Sequence, residues 1–333
     1  AITGDVHYMD ALEKMTFNAL PTQTTDDYNN KQYFQVANQI QISKGVFDFS
    51  LPFNREMCNV LGARSGYTCC LANMHQGWTK FTWYGTPGKG LAALSYAPND
   101  LTAKVGKDQT EVSIHEATTY PFNDEITFTI SSKKVAGFPL QLRIPAWCKE
   151  ATILLNGQLL RKDTGNQVIT IDRSWKNNDK LVLQLPMDIT TTVWGRHSRA
   201  VERGPLVYAL KLNEKWEKAT DEVEGEYFSV YPEGKWNYAL IRDNVEKPAA
   251  HYKAAVVKQV DDQFVWNLAH APVTITVPAK SIPAWKELNG VAYQPATDRE
   301  GIYKGKVDNT VQEITLVPYG CTKVRIVAFP VVP

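Results

Sequence analysis

Two adjacent thiols give the chain its most reactive stretch, Tyr67-Thr68-Cys69-Cys70-Leu71-Ala72-Asn73-Met74-His75-Gln76-Gly77-Trp78. A disulfide between neighbouring cysteines strains the bond geometry, so Cys69 and Cys70 do not readily pair with each other. Each thiol is open to a metal, to a nucleophilic role, to a disulfide elsewhere, or to burial as a small apolar group. A metal site needs three or four ligands, and the C-x-x-C spacing of zinc ribbons and fingers is absent. His75 follows five or six residues on and, on a helix, faces neither cysteine squarely; it reads as a structural histidine or a ligand. Asn73 and Gln76 suit sugar hydroxyls or backbone capping. Asp26 and Asp27 are adjacent and point apart, so they make no glycosidase carboxylate pair, and loop aspartates commonly serve turns. Glu56-Met57-Cys58 has the residue types of a ligand pair; the alternative is a solvated Glu56. Phosphate loops, G-x-S-x-G and H-E-x-x-H are absent.

Elements must position these groups. Apolar residues Val6, Met9, Leu12, Met15 and Ala19 recur near the helical period, predicting a helix over 5–20 capped by Thr3 or Asp5 and stopped by Pro21. Residues 21–50 are polar and irregular, and a loop of this length is expected to drape over a site. Residues 67–82 predict a second helix with Leu71, Met74, Trp78 and Phe81 on one face. Its N-terminus would favour a thiolate at the cysteines. Beyond residue 90 the texture changes to period-two alternation, as in Val112-Ser-Ile-His-Glu-Ala-Thr-Thr and Ile126-Thr-Phe-Thr-Ile. Turn signals such as Asn156-Gly157 and Asn177-Asn178-Asp179 separate such runs. The fold class is mostly β: antiparallel β-sandwich domains preceded by a few helices. Expected boundaries are a helical piece at 1–88, a sandwich at 89–204, and a second β-rich domain at 205–333 whose final strand, 322–329, returns to the first sandwich.

The 333 residues carry a net charge of +1, which signals no basic surface for nucleic acid. No apolar run approaches the ~20 residues that span a membrane. Five cysteines are too few and too scattered for a disulfide framework, and an odd number leaves one thiol over. A start at Ala1 rather than Met suggests a processed or truncated product. Nine tryptophans and fifteen tyrosines suit carbohydrate handling, and they equally suit large β cores.

The Cys-Cys stretch resembles a segment of the β-L-arabinofuranosidase family, glycoside hydrolase family 127 and its relatives. Ala11-Leu-Glu-Lys-Met-Thr-Phe-Asn18-Ala-Leu-Pro21, Leu140-Gln-Leu-Arg143-Ile-Pro145-Ala-Trp147, Ile171-Asp-Arg173-Ser-Trp175, Val201-Glu-Arg203-Gly204-Pro205-Leu-Val-Tyr208 and Val317-Pro-Tyr-Gly-Cys321-Thr-Lys-Val-Arg325-Ile follow the family order. The resemblance implies an (α/α)6 barrel followed by sandwiches, of which this chain is similar to the last part of a bacterial enzyme. It further implies a zinc ion held by an upstream Glu-x-Cys pair together with Cys69 and Cys70, with Cys69 the nucleophile of a retaining mechanism. A general acid/base glutamate and the Glu-x-Cys ligands are then expected before Ala1; Glu56-Met57-Cys58 sits too close to Cys69 to match. The chain by itself is therefore expected to lack catalysis. An arabinose-containing or related glycan is the expected substrate, with a homodimer formed through the C-terminal β-domain. The resemblance leans toward a periplasmic or secreted location over a cytoplasmic one. The rival reading is a non-catalytic β-sandwich module for carbohydrate binding or assembly, its cysteines buried.

Overall fold

The computed structural model describes residues 5–47, 56–79, 83–86, 90–257 and 263–333. The chain is mostly β and divides into two compact units, residues 1–15 with 77–188 and residues 16–76 with 189–333.

The first unit holds two sheets. One has four strands in the order Gln167–Trp175, Ala136–Ile144, Gly90–Ala93, Tyr84–Thr86; the other has six, in the order Asn99–Val105, Thr110–Thr118, Glu125–Ser132, Asp179–Gln184, Glu150–Leu155, Gln158–Thr164. Pairing is antiparallel except between Gly90–Ala93 and Ala136–Ile144. Alternation decides which face is buried. In Thr110–Thr118 the residues Val112 and Ile114 point inward and their neighbours outward, as period two requires. Asn156 and Gly157 both take positive φ (51° and 81°), the conformation of a two-residue hairpin turn. Tyr96 ties the two sheets together. Its ring meets Phe128 edge-on at 6.3 Å, and its hydroxyl donates to the Arg143 carbonyl at 2.5 Å.

The helix Val6–Asn18 forms where the periodicity predicts it, with Asp5 Oδ1 accepting from the His7 N–H at 2.9 Å. Its inner face differs from the expected one. Met15 is exposed, whereas Glu13 is buried. The reason is Arg143, fully buried on the strand Ala136–Ile144, whose guanidinium forms ion pairs with Asp10 and Glu13 and whose Nε donates to the Leu94 carbonyl at 2.6 Å. A buried cation draws a carboxylate inward where sequence periodicity placed a methionine.

The second unit is built on one large sheet. Its order is Ile189–Val193, Arg199–Arg203, Leu206–Leu210, Asp308–Pro318, Val273–Ser281, Tyr238–Ile241, Val331–Val332, with Lys253–Val256 also pairing to Val273–Ser281. A small sheet joins Leu61–Gly62, Gly225–Glu233 and Asn213–Asp221. The stretch 322–329, expected as a strand, contributes one antiparallel bridge, Phe329 to Arg199; Val331–Val332 pair in parallel with Tyr238–Ile241 within this unit. The polar segment that follows the first helix is largely internal rather than draped outside. Ile40, Ile42, Gln32 and Gln39 are buried, and Ile42 bridges to Val230. Its amides satisfy one another: Gln32 Nε2 and Gln39 Nε2 both donate to Asn59 Oδ1, at 2.8 and 2.5 Å. That accounts for a composition rich in Asn and Gln, since buried backbone without a ladder needs side-chain partners. Residues 48–50 of the segment lie outside the described residues.

Candidate thiol site

The expected helix over 67–82 is two short ones, Cys69–Asn73 and His75–Thr79, with Phe81 outside the described residues. Gly66 sets the entry. Its φ of +59° suits glycine, and a Cβ there would lie 2.5 Å from Tyr33 Cγ and 3.1 Å from Cys58 Sγ. The chain can therefore pass close over Tyr33 and Cys58 before presenting Tyr67, Thr68 and the two thiols.

Cys69 is exposed and Cys70 half-buried. Burial pushes the Cys70 thiol up; the neighbouring Cys69 sulfur adds to this, and the Lys31 ammonium opposes it. Lys31 is the organising cation. Its side chain is fully buried, its Nζ donates to the Ser65 carbonyl, and it lies 5.6 Å from the centre of the Tyr33 ring. Burial pulls the Lys31 ammonium below its ordinary value, while Cys70, Cys69 and Cys58 pull it back up. Tyr33 and Tyr67 meet edge-on at 5.5 Å beside these groups. Buried Cys58 is pushed up to about 11, first by desolvation, with Lys31 opposing.

The other sequence candidates go elsewhere. Asn73 Nδ2 donates to the Cys69 carbonyl at 2.8 Å, and Gln76 Nε2 donates to Asn73 Oδ1 at 2.9 Å, so both amides bond within the helical segment. His75 is exposed. Glu56 does not join Cys58; it lines a cavity with Lys44 and Asp221. Asp26 and Asp27 lie at the rim of another cavity, with Asp27 holding the Thr25 hydroxyl at 2.5 Å and the Asn29 amide at 2.7 Å. Lys31 and Tyr33 escaped sequence reasoning. A lysine in a polar loop reads as solvated, and nothing in Asn30-Lys31-Gln32 marks it as buried.

Zinc requires three or four ligands. Among the described residues no group of three or more His, Cys, Asp or Glu side chains is placed to hold a metal ion. The adjacent thiols of Cys69 and Cys70 supply two of the three or four ligands that zinc takes. Among the described residues no helix is long and apolar enough to cross a membrane.

Residues 90–187, inside the first unit, match the family model described as beta-L-arabinofuranosidase, GH127 middle domain. Over residues 90–187 the chain is similar to that GH127 middle domain. Solved structures share its fold. One described as a glycoside hydrolase aligns over 100% of this chain with a TM-score of 0.67 at 20% identity. A GH127 β-L-arabinofuranosidase from Geobacillus stearothermophilus T6 aligns over 99% with a TM-score of 0.63 at 20% identity, and a GH127 β-arabinofuranosidase over 99% with a TM-score of 0.62 at 19%. The chain spans about half the length of these structures, covering 49%, 47% and 48% of them respectively. No curated protein matches the sequence.

Proposed function

We propose that this chain is the C-terminal portion of a retaining glycoside hydrolase of the β-L-arabinofuranosidase type, with Cys69 as its nucleophile. The observation that supports the reading is an exposed thiol, adjacent to a second thiol and in the field of a buried lysine, in a chain whose residues 90–187 match the GH127 middle domain. In the proposed step the Cys69 sulfur attacks the anomeric carbon, the carbon–oxygen bond to the leaving group breaks, and a thioglycosyl intermediate forms. Water then displaces the sulfur, and the two inversions together give net retention of configuration. Lys31 stabilises the attacking thiolate, and Gly66 lets the backbone bring Tyr67 and the thiols over Tyr33. In this reading the helices Val6–Asn18, Cys69–Asn73 and His75–Thr79 are the last elements of a helical barrel, and a glycan containing arabinose or a related sugar is the substrate. A zinc ion in the longer protein would lower the thiol pKa, and it would need ligands beyond Cys69 and Cys70.

Leaving-group departure calls for a carboxylic acid. As the family resemblance implies, the chain alone is proposed to lack that acid. It should give no sustained hydrolysis of a methyl β-L-arabinofuranoside followed by released sugar; steady turnover would overturn the incompleteness. Self-association through residues 205–333 belongs to the same proposal and is read by sedimentation velocity.

A further inference from the structure

Along the hairpin of Asn213–Asp221 and Gly225–Glu233 the second unit carries a groove unrelated to the thiols. It consists of a cavity of about 630 Å³ and one of about 660 Å³ that share Asp27, Asn30 and Phe228. One wall is aromatic. Trp216 is 40% exposed and meets Phe228 edge-on at 5.9 Å. An exposed indole is usually free to turn, but this one is tethered: its Nε1 donates to Glu214 Oε2 at 3.2 Å. Glu214 is itself fixed, because its Oε1 accepts from the Lys323 and Val324 backbone N–H groups at 2.6 and 3.3 Å. The ring is therefore held ready as a flat apolar surface, with none of the described residues covering that share of it.

The remaining lining is hydrogen-bonding. Asn267 Nδ2 holds Asp26 Oδ2 at 2.8 Å, and Lys323, buried in the floor, donates from Nζ to the Thr24 carbonyl at 2.6 Å. Lys323 has three N–H donors, and Asp26 has several acceptor positions. The charge on the lining selects among ligands. Asp26, Asp27, Glu214, Glu222, Glu224 and Glu226 face Arg64 and Lys323 across the two cavities, which disfavours an anion. The carboxylates of Glu214 and Asp27 are already engaged in several hydrogen bonds, so they serve as scaffold more than as partners for a cation. An aromatic plane facing mixed donors and acceptors fits a neutral ring with an apolar C–H face and a hydroxyl edge. Two joined cavities fit several such rings in a row.

We propose that this groove binds a neutral oligosaccharide, one sugar ring stacking on Trp216 and its hydroxyls meeting Asp26, Asn267 and Lys323. The inference does not depend on the role given to Cys69. The test is titration of the full chain with arabinopentaose, xylopentaose and cellopentaose, read by calorimetry and tryptophan fluorescence, with a neutral-to-charged comparison against a polygalacturonate oligomer. At least one neutral oligosaccharide should bind saturably. Trp216→Ala should weaken it tenfold or more and Asn267→Ala several-fold, with circular dichroism unchanged, while Cys69→Ser binds like the parent chain. Absence of saturable binding to all three, equal affinity in Trp216→Ala and Asn267→Ala, or binding confined to the charged oligomer would each overturn the proposal.

Discussion

Replacing Arg143 by Met tests how the first unit is held together. Arg143 has no exposed side-chain surface, and its guanidinium pairs with Asp10, 20% exposed, and Glu13, 1% exposed. Glu13 also accepts the Tyr120 hydroxyl at 2.6 Å, and Asp10 accepts the Ala146 N–H at 3.0 Å. Methionine keeps much of the volume but removes every donor. The Leu94 carbonyl loses its partner, and Glu13 becomes a buried carboxylate without its cation. Removing one partner of a buried pair costs about 3–5 kcal/mol, most of it the penalty on the charge left behind. Native-state hydrogen exchange of the Ala136–Ile144 amides, followed by mass spectrometry in rising denaturant, reads the stability of this unit directly. The double variant Arg143→Met with Glu13→Gln should recover part of the loss, because the stranded charge is gone. A loss under about 1 kcal/mol in Arg143→Met, below even a typical single core substitution, would refute the claim that this ion network holds the helix to the sheets.

Two further outcomes follow from burial of titratable groups. Burial raises the Glu116 carboxyl to about 7 even though Asn99 and the Ala97 N–H hydrogen-bond to it. The folded chain then keeps a proton that the unfolded chain releases near pH 4.5. Stability from this group is therefore full below that pH and is lost as pH rises through about 7, by about 3 kcal/mol in total. Urea unfolding at pH 5 and pH 8 should show this fall, and Glu116→Gln should flatten it; a pH-independent midpoint in the parent chain would contradict it. Among the thiols, iodoacetamide near neutral pH should modify exposed Cys69 first. Buried Cys58 and Cys148, both pushed up to about 11, and buried Cys321, pushed higher still, should stay unmodified in the native state. Peptide mapping that finds Cys58 modified as fast as Cys69 would contradict the site as described.

Much of the secondary structure was legible because it is local. Period two located the strands around Val112 and Ile126, and Asn156-Gly157 marked its hairpin because both residues adopt positive φ there. The first helix was legible for the same reason, but its inner face was not. The residue that turns Glu13 inward, Arg143, lies 130 positions away in sequence. The polar segment before the cysteines read as surface because its burial depends on amide pairs such as Gln39 with Asn59, which no local pattern announces. The helix predicted over 67–82 is instead two short helices, Cys69–Asn73 and His75–Thr79. At the site, Cys69 and Cys70 were visible as neighbours in sequence. Lys31 was not, since the bridge to Gly62 and the Nζ bond to the Ser65 carbonyl that hold it inside come from residues more than 30 positions away.

Covalent capture at Cys69 tests the proposed chemistry most directly. A dinitrophenyl β-L-arabinofuranoside carries a leaving group that departs without protonation, so capture demands a nucleophile and no acid. The account predicts one glycosyl group attached to the chain by intact-mass analysis, located on Cys69 by peptide mapping and absent in Cys69→Ser. No attachment, or the same attachment in Cys69→Ser, would contradict it.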